Sequence, residues 1–276
     1  MGGCAQSKPM AAAVPAAEKP AEAPPQLDAS KEAPKEVAPA VAASTWYLVD
    51  HTFKEGCNPE DWWKNIQEMM ADPEKLKAFH VGNTEKGFYN HSFNPFGQDH
   101  MMCVWECKAG TAEADFQKCL DDVVGQSMLV NKAMKIPAEL CGGQFPYASA
   151  FAKDSAVKLD EGNASYPSST AWFLVKHDMV EGKTEEWWSA TQKMMADAAA
   201  MEAFTASGME KGLKNHAFVP ITQELIYCFW ECKEAGMEAA LQKFVDEDVG
   251  RGCFTNTLME MPAAMTGGMS SYKSCF

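Results

Sequence analysis

Trp46-Tyr47-Leu48-Val49-Asp50-His51 returns 126 positions later as Trp172-Phe173-Leu174-Val175-Lys176-His177, and no other feature constrains the fold as strongly. From Trp62 the offset becomes 125 and runs without a gap to Gly143. Trp62-Trp63 reappears as Trp187-Trp188, and Met69-Met70-Ala71-Asp72 as Met194-Met195-Ala196-Asp197. Asn90-His91 reappears as Asn215-His216, and Trp105-Glu106-Cys107-Lys108 as Trp230-Glu231-Cys232-Lys233. Two copies are too few for a solenoid, so the repeat predicts a pair of domains. The 276-residue length fits two domains and an extension.

The extension is residues 1–44. It holds 14 alanines and 7 of the 15 prolines but no Trp, Tyr or Phe, so it cannot build a core. The expected division is a tail at 1–44, modules at 45–150 and 171–276, and a linker at 151–170. Met1-Gly2-Gly3-Cys4 resembles an N-myristoylation signal with Gly2 as the acylated residue. The hydroxyl residue expected at position 6 stands at 7, behind Gln6. One myristoyl chain binds membranes marginally and the tail is not polybasic, so palmitate on Cys4 would be the second anchor. The rest of the tail reads as a spacer.

Of the formal net charge of -14, the tail carries -1. A body this acidic, with no Lys/Arg stripe, repels phosphate backbones, and nucleic acid is excluded as a partner. No run of 18 apolar residues and no secretory h-region is present. Four of the ten cysteines are exchanged between copies, mostly for ordinary packing residues: Cys119 for Phe244, Cys253 for Met128, Cys141 for Thr266 and Cys275 for Ala150. They behave as small apolar thiols, and a reducing compartment follows: cytoplasm, or the cytoplasmic face of a membrane if acylated.

Within the first copy, residues 46–53, 88–93, 100–107 and 127–136 read as strands. Asn58-Pro59 opens a helix carrying Trp62, Trp63, Ile66, Met69 and Met70, and residues 111–124 form a second helix stopped by Gly125. The order is βαββαβ, an α+β ferredoxin-like module. Its helices cover one sheet face, and the second copy can bury the other. Two such sheets face to face resemble the dimeric α+β barrel superfamily, here as a fused pair. The resemblance rests on element order and size. It implies the company of cofactor-independent oxygenases, lactone isomerases and haem-handling enzymes, and it carries over no catalytic residue.

Cys103-Val-Trp105-Glu106-Cys107 and Cys228-Phe-Trp230-Glu231-Cys232 hold cysteines four apart. On a strand they lie about 13 Å apart, too far for a disulfide or a shared ion, so thiols packed around a core tryptophan are expected and no metal. His51 with His177 and His91 with His216 are the matched histidines, since His80 and His100 face Thr205 and Leu225, and Glu106 and Glu231 project to the face opposite the Cys/Trp row. His51, His91 and Glu106, with His177, His216 and Glu231, are therefore the expected ligand-binding set, lining the space between the sheets. A hydrogen-bonded packing role would leave the same register. The tryptophan pairs and their methionines fit a helix face packed on the sheet, with room for one exposed Trp as a partner surface. Nucleotide, phosphoryl and common hydrolase motifs are lacking, and no cofactor is named by the sequence. Three functions remain: a membrane-tethered protein binding a small apolar molecule in a cavity lined by Met and Trp, an enzyme, or a scaffold with a filled centre.

Overall fold

The computed structural model describes residues 44–142, 145–162, 165–266 and 268–276. Gly2 and Cys4 lie outside them. The first module runs β1 (Thr45–Phe53), α1 (Pro59–Ala71), α2 (Pro73–Glu85), β2 (Phe88–Pro95), β3 (His100–Cys107), α3 (Glu113–Cys119), a π-helical turn (Leu120–Val124) and β4 (Leu129–Lys135). After β5 (Tyr166–Pro167) the second module repeats it: β6 (Ala171–Met179), α4 (Thr184–Ala196), α5 (Ala198–Glu210), β7 (Leu213–Pro220), β8 (Leu225–Cys232), α6 (Glu238–Phe244), a π-turn (Val245–Val249) and β9 (Phe254–Glu260). The helix α7 (Ala263–Thr266) and β10 (Met269–Ser270) follow, and β10 pairs with β5.

The sheets are ordered β2-β3-β1-β4 and β7-β8-β6-β9, all antiparallel, as a ferredoxin-like module requires. Alternation along β1 sends Tyr47 and Val49 toward the helices with Trp105 and Phe116, and Trp46 and Leu48 to the opposite face. There Trp46, Leu48, Met102 and Val104 meet Leu174, Val219, Tyr227 and Phe229 of the second module. A lone module would leave these side chains in water, a loss of about 1.5–3 kcal/mol for each large one. The two modules therefore form a pseudo-dimeric α+β barrel.

Two elements differ from the expectation. The first crossover is a pair of helices, because Asp72 adopts an extended backbone that ends α1, and its carboxylate caps α2 by accepting from Glu74 N and Lys75 N at 3.1 and 3.3 Å. Asp197 does the same before Ala198, so the aspartate rather than the following proline sets the break. The second helix ends in a π-turn, closed by Gly125 N donating to Leu120 O at 2.7 Å and repeated by Gly250 N to Val245 O at 2.7 Å.

Candidate functional site

The six expected site residues divide between the two faces of each sheet. His51 pairs across the strands with Met101, an odd number of residues from Glu106, so the sheet separates it from that carboxylate. Its Nδ1 donates to Asn131 Oδ1 at 2.7 Å, and Asn131 Nδ2 donates to Leu120 O at 3.0 Å and Asp121 Oδ1 at 2.8 Å. His177 repeats this, with Nδ1 2.6 Å from Asn256 Oδ1 and Asn256 Nδ2 2.7 Å from Asp246 Oδ1. These histidines tie the π-turn to the sheet rather than lining the space between sheets. Burial pushes both imidazoles down to about 4, so they are neutral. The proton sits on Nδ1, and Nε2 is buried with no partner.

His91 and Glu106 do lie toward the partner sheet. A β-bulge between Asn90 and Ser92 brings His91 Nε2 to 3.0 Å from Glu106 Oε2. Glu106 also accepts from the Ser149 hydroxyl and from Ala150 N, the latter at 2.7 Å. Burial raises this carboxyl, but the bonds from His91, Ser149, Ser44 and Ala150 outweigh it and hold the group below its ordinary value. The arrangement is an ionised glutamate beside a neutral imidazole, which burial depresses against the pull of Glu106. His216 Nε2 lies 2.9 Å from Glu231 Oε2, and Glu231 accepts further from Thr170, Ser274 and Cys275 N.

The space these groups face is filled. Trp46 stacks on His91 at 4.6 Å, His91 on Tyr147 at 5.0 Å, and Tyr147 on Tyr272 at 5.2 Å. His216 lies 5.0 Å from Tyr272 and 4.8 Å from Trp172. The rings form one continuous row across the module boundary, so the six residues do not converge on a central void.

The cavities lie elsewhere, between helices and sheet. The first, of about 390 Å³, is lined by Trp62, Ile66, Met69 and Phe93 of the first module. Its roof includes Ser165, Ser168, Thr170, Met261, Met265 and Met269, and its polar lining includes His80, Asn90 and Glu161. The second, of about 250 Å³, is the counterpart under α4 and α5, with Trp187, Met194 and Phe218, roofed by Cys141, Phe145 and Pro146 of the first module. His177 and His216 line it. Each roof thus comes from segments distant in sequence. His80 escaped the sequence reading because its counterpart is Thr205 and α2 itself was unrecognised. Gly162, at φ +68°, packs so closely on the His80 ring that an added Cβ would stand 2.2 Å from Nε2.

Neither tryptophan of a pair is exposed. Trp62 and Trp63 donate to Val124 O at 3.1 Å and Gln98 O at 2.7 Å, and Trp187 and Trp188 to Val249 O at 3.0 Å and Gln223 O at 2.9 Å. A buried indole N–H needs such an acceptor, which fixes both rings inward. Cys103, Cys107, Cys228 and Cys232 are free and buried, and burial pushes the thiols of Cys103, Cys228 and Cys232 up to about 12. They are protonated packing groups.

Among the described residues no helix is long and apolar enough to cross a membrane. Solved structures similar to the chain include a mutant chlorite dismutase from Candidatus Nitrospira defluvii, with 13% identity and TM-score 0.42, covering 81% of this chain and 94% of that one. The same enzyme in complex with imidazole gives 14% identity and TM-score 0.36, covering 79% and 91%. A candidate monooxygenase from Fusobacterium nucleatum gives 8% identity and TM-score 0.37, covering 83% and 94%. At these scores the likeness assigns no chemistry to this chain. No curated protein matches it in sequence. A family profile described as a domain of unknown function, DUF8652, matches twice, over residues 46–144 and 172–269, and the chain belongs to that family as a tandem pair.

Proposed function

We propose that the protein binds a small apolar molecule in the cavity beneath α1 and α2, and that acyl chains on Gly2 and Cys4 hold it at a membrane. The observation that carries the binding reading is the first cavity. Its 390 Å³ falls within the roughly 300–1,000 Å³ of small-molecule sites, whereas 250 Å³ falls below it. Tryptophan, methionine and phenylalanine supply the apolar walls, and His80, Asn90 and Glu161 are the few polar groups that would orient a ligand. Native mass spectrometry of protein purified from its own source tests both parts. The expected spectrum carries one retained apolar molecule and the mass of two acyl chains, and Gly2→Ala moves the protein to the soluble fraction. An unmodified terminus ends the tether, and a ligand-free protein that takes up no apolar probe ends the binding reading.

A further inference from the structure

The two copies hold the same carboxylate clamp, with one substitution at its edge. Where the first has Ala150, the second has Cys275, exposed and next to Ser274. We infer that His216, Glu231 and Cys275 form a divalent-metal site of the zinc class, which exists only in the second copy.

Nitrogen, carboxylate oxygen and sulfur of the three residues lie within 4.8 Å of one another. A tetrahedral zinc ion, with bonds of about 2.0–2.3 Å, needs its ligand atoms about 3.5 Å apart. The difference is about 1 Å, within reach of a rotation of the exposed Cys275 side chain. The other two ligands are already oriented. Glu231 Oε1 accepts from the hydroxyls of Thr170 (2.7 Å) and Ser274, while Oε2 accepts from Cys275 N at 2.9 Å and faces His216 Nε2 at 2.9 Å, with a lone pair remaining for an ion. The His216 ring is held between Trp172 and Tyr272. Such supporting bonds are what fix ligands in metal sites. Imidazole, carboxylate and thiolate together suit zinc better than magnesium or calcium. On binding, the imidazole hydrogen moves from Nε2 to Nδ1, and the thiol proton passes to solvent.

The first copy is the internal control. His91 and Glu106 make the same bond at 3.0 Å, but Ala150 offers no third ligand, and the stoichiometry is therefore one ion per chain. The test is titration of chelator-stripped full-length protein with cobalt(II), followed by zinc. One equivalent should bind with a near-ultraviolet thiolate-to-cobalt band that zinc abolishes. Cys275→Ala, which installs the residue of the first copy, should lose the band and bind at least tenfold more weakly. His216→Gln should weaken binding likewise while the far-ultraviolet circular dichroism stays unchanged. Absence of the band, Cys275→Ala binding as tightly as wild type, or loss of the band in Cys57→Ala instead would overturn the assignment.

Discussion

The cavity of the first module is about 140 Å³ larger than that of the second, by the difference between 390 and 250 Å³, although matched tryptophans and methionines line both. The excess comes from unmatched parts. The α7 segment roofs the first cavity with Met265, whereas its counterpart Leu140 packs into the core of the second module. His80 and Glu161 line the first cavity, and Thr205 stands opposite His80 in the repeat. The groups that stayed in register are the ones that hold the backbone: His51 with Asn131, His177 with Asn256, and the two glutamate clamps. Duplication preserved the frame and the tryptophan and methionine walls of both cavities, and the copies diverged in the roofs and in single side chains such as His80 and Cys275.

If that division is right, the largest effect belongs to the clamps. Glu106→Ala and Glu231→Ala should each cost about 3–5 kcal/mol, because an imidazole, hydroxyls and a backbone N–H lose their buried acceptor. Urea denaturation measures this, and a large loss in only one copy would break the equivalence.

The next effect is a pH dependence shared by His51 and His177. Their folded pKa values lie near 4, against about 6.5 when unfolded. As pH falls the unfolded chain takes up protons first, so stability is full above about pH 6.5, declines between 6.5 and 4, and levels off below. Each histidine contributes about 3 kcal/mol to that decline. The slope of urea midpoint against pH should drop by a similar amount in His51→Gln and His177→Gln. An unchanged slope in either would show that its imidazole is not held neutral.

Much of the frame was legible in residues, and its limits were physical. The apolar strands gave the sheet because alternation has period two, although β2 runs on through Asn94 and Pro95. The position of His51 was legible too: with Trp46 opposite Glu106, an odd step along β1 places His51 on the other face. The helix α2 stayed hidden since Leu76 and Phe79 are only half-buried and make a weak apolar stripe. The π-turns add one residue per turn, which helical spacing does not reveal. The bulges at His91 and His216 likewise leave no compositional mark. The cavities depend on roofs from segments distant in sequence, contacts that no local pattern encodes.

Smaller effects sharpen the comparison. Asn131→Ala and Asn256→Ala should each cost about 1–3 kcal/mol by leaving a buried imidazole N–H unpaired, as thermal or urea unfolding would register. Gly162→Ala has no counterpart in the other copy. Its positive φ costs about 1 kcal/mol, and the new methyl group must displace the His80 ring. The His80 resonance in a proton–nitrogen spectrum should shift while that of His177 does not, and movement of both would mean that the change is global.

The most direct test uses the matched methionines, Met69 in the first cavity and Met194 in the second. Fluorescence titration with N-phenyl-1-naphthylamine should give one bound probe in the wild type. Met69→Trp, which fills the first cavity, should weaken binding at least tenfold, and Met194→Trp should leave it within twofold. Equal binding by Met69→Trp and wild type, or a loss confined to Met194→Trp, would contradict the placement of the ligand beneath α1 and α2.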